Sequence, residues 1–334
     1  MLRNLKYRAV HACHTAGIIA ADLLIASGMR RARVRKGPVV PDCLFFNVTS
    51  ICNAKCVFCA YRLVDHPTGI MDFAVFKKAI DEYAALGGGV VSFTPTLGEA
   101  LVDPGLMEKI RYAVGLKGIS KTYFYSNGIL LGRNDAYKRL IDSGLHEMHL
   151  STTAMDPEIY KEIYGVAAYE TFRDGLSKLL AYNREKGEPL TIIIQFRSPL
   201  LPEQTMALPD FQRVIKPFLS PKVIVKFMMT YDNWGGAITE KDMVGAMRLR
   251  RVPRMKSIAC ERVYDAMILF DGSVRLCACR VKDTEFDDLV VGNIKEAPLH
   301  DILNGDAARE VRGSFSRNEL RSVCRNCSFY APDL

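Results

Sequence analysis

Leu44-Phe45-Phe46-Asn47-Val48-Thr49-Ser50-Ile51-Cys52-Asn53-Ala54-Lys55-Cys56-Val57-Phe58-Cys59 is the stretch on which the reading of this chain turns. Leu44 to Thr49 reads as a short buried strand, and three cysteines follow it at C-x3-C-x2-C spacing. Strands that end in a ligand-bearing loop belong to parallel βα arrays, where sites collect at the C-terminal ends of the strands.

The pattern outward from this stretch alternates. Helices are predicted at Asp72 to Leu86, Pro104 to Val114, Asn134 to Ser143, Pro157 to Tyr164, Tyr169 to Lys186 and Asp210 to Phe218. Strands are predicted at Val90 to Thr94, Lys121 to Ser126, His146 to Thr152, Leu190 to Arg197 and Lys222 to Thr230. With Leu44 to Thr49 these make six strands joined by right-handed crossovers. Six is too few for a closed eight-stranded barrel. The fold class is therefore α/β, a partial (β/α)6 barrel, although strand counting alone leaves a doubly wound sheet open. Beyond residue 235 the rhythm changes, and Ala266 to Phe270, Asp271-Gly272 and Ser273 to Leu276 read as a hairpin. The chain divides into a basic and apolar helical segment at 1–40, the barrel at 41–235, and a linker with a small cysteine-rich domain held by metal at 236–334.

The 334 residues are 49% hydrophobic and 25% charged, enough for a sizeable core, and carry a net charge of +8. Part of that excess is one run, Arg30, Arg31, Arg33, Arg35 and Lys36. No basic stretch is interleaved with stacking aromatics, so specific nucleic-acid binding is not expected. The apolar run Ala16 to Met29 lacks a signal-cleavage pattern and is too short to span a bilayer, which needs about 20 residues. It reads as a helix packed on the body of the protein, with residues 1–36 as a membrane-surface contact in the alternative. Ten cysteines without a secretory signal point to reduced thiols, a cytoplasmic location, peripheral to the membrane in that alternative, and metal binding.

Three thiolates within eight residues can wrap one face of a cubane cluster and leave one iron open to a substrate's amino and carboxylate groups. A zinc site is the competing reading, with His66 as the nearby fourth ligand. The spacing at Cys52, Cys56 and Cys59, with Phe58 before the third cysteine, resembles the signature of the radical S-adenosylmethionine superfamily. Further positions resemble that family in order along residues 44 to 230. Leu97-Gly98-Glu99-Ala100 is similar to its glycine-glycine-glutamate-proline loop, with Gly98 and Glu99 matching and Leu97 and Ala100 departing. Ser126-Asn127-Gly128 resembles the turn after its third strand.

The resemblance implies that Cys52, Cys56 and Cys59 bind a [4Fe–4S] cluster. It also implies that Phe58, Gly98, Glu99, Asn127, Ser151, Gln195 and Arg197 surround S-adenosyl-L-methionine. A guanidinium such as that of Arg197 suits a carboxylate because it can bind both oxygens at once. The implied reaction is reductive cleavage to a 5′-deoxyadenosyl radical that takes hydrogen from a substrate. Flavodoxin or ferredoxin is the implied one-electron donor.

Cys260 and Cys277 flank the predicted hairpin, and Cys324-Arg-Asn-Cys327 lies near the C-terminus. Together they can supply four thiolates to a second, auxiliary [4Fe–4S] cluster, or to a zinc ribbon. The arrangement is similar to the SPASM/twitch extensions of the same superfamily, in the shorter four-cysteine twitch form. Cys13 and Cys43 read as buried small hydrophobes. Cys279 and Asp232 are the only candidates for a catalytic group. Asp232-Asn233-Trp234 either faces the cavity with a hydroxylated ligand or docks the small domain. The expected enzyme is a radical oxidoreductase acting on a small polar, sugar-like or aminocyclitol-like molecule by oxidation, epimerisation or elimination. Modification of a peptide is the second reading, and a non-catalytic metal-binding adaptor the third.

Overall fold

The computed structural model describes residues 2–278 and 287–334. In chain order its helices and strands are α1 (Leu2–Ala26), β1 (Cys43–Phe46), α2 (Phe73–Ala85), β2 (Gly89–Ser92), α3 (Leu106–Gly115), β3 (Ile119–Ser126), α4 (Ala136–Ile141), β4 (Glu147–Thr152), α5 (Pro157–Tyr164), α6 (Tyr169–Glu185), β5 (Thr191–Phe196) and α7 (Pro202–Ala207). There follow β6 (Val223–Phe227), β7 (Thr230–Tyr231), β8 (Arg248–Leu249), β9 (Ala266–Ile268), β10 (Ser273–Leu276), β11 (Val290–Asn293), α8 (Leu299–Asn304), α9 (Asp306–Gly313) and α10 (Ser322–Arg325).

All six barrel strands form, and β1 to β6 lie side by side in sequence order, each parallel to the next. The helices between them cover the outer face. On α2, Phe76, Ala79, Ile80 and Tyr83 recur at helical spacing and are buried against the sheet. Phe76 and Ile80 each contribute about 1.5–3 kcal/mol by that burial. Local signals set the ends. The Asp72 carboxylate accepts the Ala74 N–H at 2.7 Å to start α2, and Asp156 does the same for α5 on Glu158 and Ile159.

The sheet does not stop where the composition changes. β9 runs parallel to β1, pairing Leu44 with Ala266 and Phe46 with Ile268, and β10 and β11 extend the same sheet to nine strands. The hairpin forms as the Asp271-Gly272 turn predicts, with Gly272 at φ +94°. Main-chain bonds therefore weld the cysteine-bearing hairpin to the strand that delivers the first cysteine loop.

Other expectations change. The predicted helix at Asp210 to Phe218 is a π turn (Phe211–Ile215) followed by a 3-10 turn (Lys216–Phe218), because Pro217 has no N–H for a continuing helix. The sixth strand ends at Phe227, and Thr230–Tyr231 pairs with β8 in a separate ribbon. Most of the apolar run near the N-terminus, from Ala16 to Ala26, lies in the longer helix α1, and Gly28 (φ +72°) follows the helix end. Its carboxylate at Asp22 is buried and accepts the N–H groups of Arg254 and Met255, both at 3.0 Å, so this helix packs on the protein body. Cys13 is exposed on α1 and not a core residue, whereas Cys43 is half-buried beside the Tyr123 hydroxyl. Among the described residues no helix is long and apolar enough to cross a membrane.

Candidate functional site

The loop after β1 carries Cys52, Cys56 and Cys59. It is held on the end of α5 by two main-chain bonds, Lys55 N–H to Tyr164 O and Val57 N–H to Ile163 O, both 2.9 Å. At Gly165 (φ +67°) a Cβ would stand 2.8 Å from Lys55 O, so glycine lets helix end and loop close together. The Tyr61 hydroxyl accepts the Cys52 N–H at 3.0 Å. Burial, then the charge of Glu99, pushes the Cys52 thiol up to about 12. Burial pushes Cys59 up to about 11. Cys56 is raised well above the thiol range by burial and by the Cys59 and Cys52 charges. The three sulfurs lie in one another's field, and only a strongly positive partner would hold them as thiolates. His66 is not turned to them: its ring nitrogens face Val64 O and Ser50 O, each at 3.1 Å.

Glu99 organises the neighbouring loop. Its buried carboxylate accepts the Ser126 hydroxyl (2.7 Å), the Asn127 N–H (2.7 Å) and the Leu101 N–H (3.1 Å), tying the turn after β3 to the loop after β2. Glu99 N–H in turn donates to Ile51 O at 2.9 Å, next to Cys52. Burial raises the Glu99 carboxyl above its ordinary value against those three hydrogen bonds. Gly98 has φ +136°, and a Cβ there would meet Thr49 O at 2.3 Å. The loop thus lies against the cysteine-bearing segment through bare backbone. Asn127 donates its amide to Asn53 Oδ1 at 2.7 Å, so its side chain also fastens the cysteine loop.

Arg197, just past β5, is brought to the same place. Its guanidinium lies 5.1 Å from the Phe58 ring centre and 5.9 Å from that of Tyr231, and its Nε donates to the Ser151 hydroxyl at 3.0 Å. Its terminal nitrogens take no hydrogen-bond partner among the described residues. Gln195 instead reaches inward to His149 Nδ1 at 3.1 Å. His149 stacks on Tyr125 at 4.2 Å and its Nε2 meets Glu147 at 2.6 Å, giving the inner face of the barrel a polar layer. Among the described residues, Asn53 Nδ2, Thr152 Oγ1, Thr153 Oγ1 and the Tyr231 hydroxyl are further buried polar atoms without a partner. Sequence reading missed these four. Their only signal is position: beside the first cysteine, at or one residue past the end of β4, or at the end of β7.

Cys260, Cys277, Cys324 and Cys327 line one cavity, walled by apolar residues that include Val263, Leu289, Phe315 and Val323. Burial, then the Cys277 charge, pushes the Cys260 thiol up to about 12, and burial raises Cys324 further. Among the described residues no three His, Cys, Asp or Glu side chains converge as a site for a single metal ion. The thiols ring a space instead of meeting at a point, which fits a multi-iron cluster better than zinc. Two cations that sequence reading did not single out attend this cavity. Lys256 Nζ donates to the carbonyls of Cys324 (2.8 Å), Arg325 (3.0 Å) and Cys327 (2.8 Å). Arg275, 1% exposed, pairs with Asp287 and donates to Cys277 O.

Residues 232 to 236 join the two thiol sites. The Trp234 indole N–H donates to Phe58 O at 2.9 Å, between Cys56 and Cys59. Asn233 is buried and donates its amide to Asn326 O at 2.8 Å, while its Oδ1 accepts the Ser328 N–H at 3.0 Å. Asn233 therefore docks the C-terminal segment and does not face a ligand. Asp232 adds its charge near Cys59 and accepts the Trp234 N–H at 3.2 Å. Cys279 lies outside the described residues.

Comparison with known proteins gives two family matches, "Radical SAM superfamily" over residues 46–208 and "SPASM: Iron-sulfur cluster-binding domain" over residues 260–328. Among curated relatives, GTP 3′,8-cyclase of Chlorobaculum tepidum is 33% identical over 135 residues, covering 40% of this chain and 39% of the relative. GTP 3′,8-cyclase of Clostridium perfringens is 27% identical over 157 residues, covering 46% and 47%. The chain thus spans less than half the length of these relatives. Among solved structures, BtrN in complex with AdoMet and 2-DOIA superposes with a TM-score of 0.59 at 18% identity, over 89% of this chain and 97% of BtrN. Streptococcus suis SuiB bound to precursor peptide SuiA gives 0.57 at 19%, over 88% and 72%. At such identities these structures share the fold.

Proposed function

This chain belongs to the radical S-adenosylmethionine superfamily, with a SPASM/twitch iron–sulfur domain and with [4Fe–4S] clusters and S-adenosylmethionine as its cofactors; from that premise we propose that it oxidises a small, hydroxylated substrate. The observation that carries the reading is the second thiol site. Four cysteines around one buried cavity are enough to ligate a cluster fully, which suits electron transfer better than substrate binding. When bound, the first cluster and S-adenosylmethionine supply a 5′-deoxyadenosyl radical, and the second cluster supplies a one-electron acceptor.

The residues divide the rest of the work. Cys52, Cys56 and Cys59 hold the first cluster, and Cys260, Cys277, Cys324 and Cys327 the second. Arg197 offers its terminal nitrogens to the methionine carboxylate while Ser151 fixes its Nε. The Gly98 backbone offers the methionine amino group a close approach, and Glu99 acts by holding that loop. Phe58 and Tyr231 wall the site against water. The polar layer of Tyr125, His149, Glu147 and Gln195 supports a hydroxylated ligand in the barrel. The substrate loses a hydrogen atom from carbon, a proton from oxygen and one electron, and leaves as a carbonyl compound. Exposed Arg30, Arg31, Arg33 and Lys36 support docking of an acidic surface, that of a flavodoxin- or ferredoxin-type donor or of a membrane. A reducing, cytoplasmic setting belongs to the same reading.

The test is anaerobic reconstitution, then incubation with dithionite, S-adenosylmethionine and a panel of aminocyclitols, sugars, GTP and peptides. About eight irons per chain are expected, falling to about four in a Cys52/Cys56/Cys59→Ala variant that forms no 5′-deoxyadenosine. A deuterated aminocyclitol or sugar should pass its label into 5′-deoxyadenosine and yield a ketone in equal amount. Turnover of GTP or of a peptide alone would overturn the substrate assignment.

A further inference from the structure

Two buried cations lie beside the four-cysteine cavity, each hydrogen-bonded to the main chain of a cysteine-bearing segment. Lys256 is 5% exposed and spends its three hydrogens on three carbonyls of one loop, those of Cys324, Arg325 and Cys327. Only the ammonium form has three hydrogens to give, so this geometry specifies a cation. Arg275 sits on β10, two residues before Cys277, with its Nη1 on the carbonyl of that cysteine. Its Nη2 is buried and has no partner among the described residues. The guanidinium feels the Cys277 and Cys324 sulfurs, and among the described residues the carboxylate of Asp287 offsets it.

A [4Fe–4S] cluster held by four thiolates carries a net charge of about −2 when oxidised and about −3 when reduced. In a buried, apolar cavity each added negative charge is costly unless a fixed positive charge lies close by. We propose that Lys256 and Arg275 are positioning residues for electron acceptance at the second site: two buried cations, one on the Cys324–Cys327 loop and one on the hairpin, that raise its reduction potential, with Asp287 opposing Arg275. The inference rests on the four cysteines being ligands of the second cluster. A cavity with the same thiols and no cations would be a poorer acceptor for an electron leaving the substrate.

The experiment uses the full-length chain with Cys52, Cys56 and Cys59 replaced by alanine, so that only the second cluster is observed. Its midpoint potential is measured by EPR-monitored redox titration. Lys256→Met and Arg275→Met should each make reduction at least tenfold less favourable, a fall of about 59 mV for one electron. Lys256→Arg, which keeps the charge, should stay at the parent potential. Asp287→Asn should shift it the opposite way, a sign reversal that general loosening of the fold would not produce. If Arg275→Met does not load iron, Lys256→Met and Asp287→Asn carry the test between them. Potentials that coincide with the parent, in variants loaded to about four irons, would overturn the inference. A parent protein that binds no iron would instead remove the ligand assignment, and the inference with it.

Discussion

Replacing Glu99 with alanine tests how the first site is held. The carboxylate is 3% exposed and receives three donors, and two of them, the Leu101 and Asn127 N–H groups, are main-chain atoms that cannot turn elsewhere. A buried donor left unpaired costs about 1–3 kcal/mol, so alanine forfeits about 2–6 kcal/mol. Part of that returns, because burial raises the Glu99 carboxyl and its ionised form is therefore penalised where it sits. The net loss expected is about 2–4 kcal/mol, which in a chain of this size lowers Tm by about 3–6 °C. Glu99→Gln keeps one acceptor oxygen and turns an amide N–H towards a donor, so it should lose about half as much. Because the same bonds hold the Gly98 backbone against Thr49 O, S-adenosylmethionine affinity should fall as well, tenfold for each 1.4 kcal/mol of loop order lost. Thermal unfolding of the apo protein and anaerobic equilibrium dialysis of the reconstituted one measure the two effects. An alanine variant that melts within a degree of wild type and binds S-adenosylmethionine equally well would refute this account of the loop.

Asn233→Ala removes both side-chain bonds to the 326–328 segment, worth about 2–3 kcal/mol together. Reconstituted iron should drop from about eight towards about four per chain, with the lost cluster the second one, as iron and sulfide counts with EPR would report. Asp265 gives a pH signature. Burial, against the pull of Arg262, pushes its carboxyl up to about 6 in the folded state, above the unfolded value. Its favourable share of stability is therefore complete below pH about 4 and is lost as pH rises through about 6. Asp265→Asn should flatten apo stability over that window and leave the variant about 2–3 kcal/mol better off at pH 7, read by urea denaturation at several pH values.

Much of this molecule is written locally. The six strands and the helices between residues 72 and 186 follow from short-range periodicity and caps such as Asp72 and Asp156, because each element buries one face on its neighbours in sequence. The first cysteine loop is legible for the same reason: its three thiols lie within eight residues, and no tertiary fold is needed to bring them together. Helix α7 and the broken turn at 211–218 were missed or misread because Pro202 opens one helix and Pro217 interrupts another, and the same residue does both jobs.

Other features were decided only in three dimensions. The parallel pairing of β9 with β1 joins residues more than two hundred positions apart, and no local pattern announces a strand that completes someone else's sheet edge. Asn233 reads equally well from sequence as a ligand contact or as part of a turn that docks the small domain, and its amide on Asn326 O decides for docking. Nothing in the sequence singles out Lys256 and Arg275 among the cations of a basic chain, since charge type says nothing about burial. The sequence by itself determined which chemistry the chain carries, because ligand spacing and residue type are local properties. Tertiary structure decided how the two thiol sites are joined and which charges surround them, because desolvation and long-range pairing exist only once the chain has closed on itself.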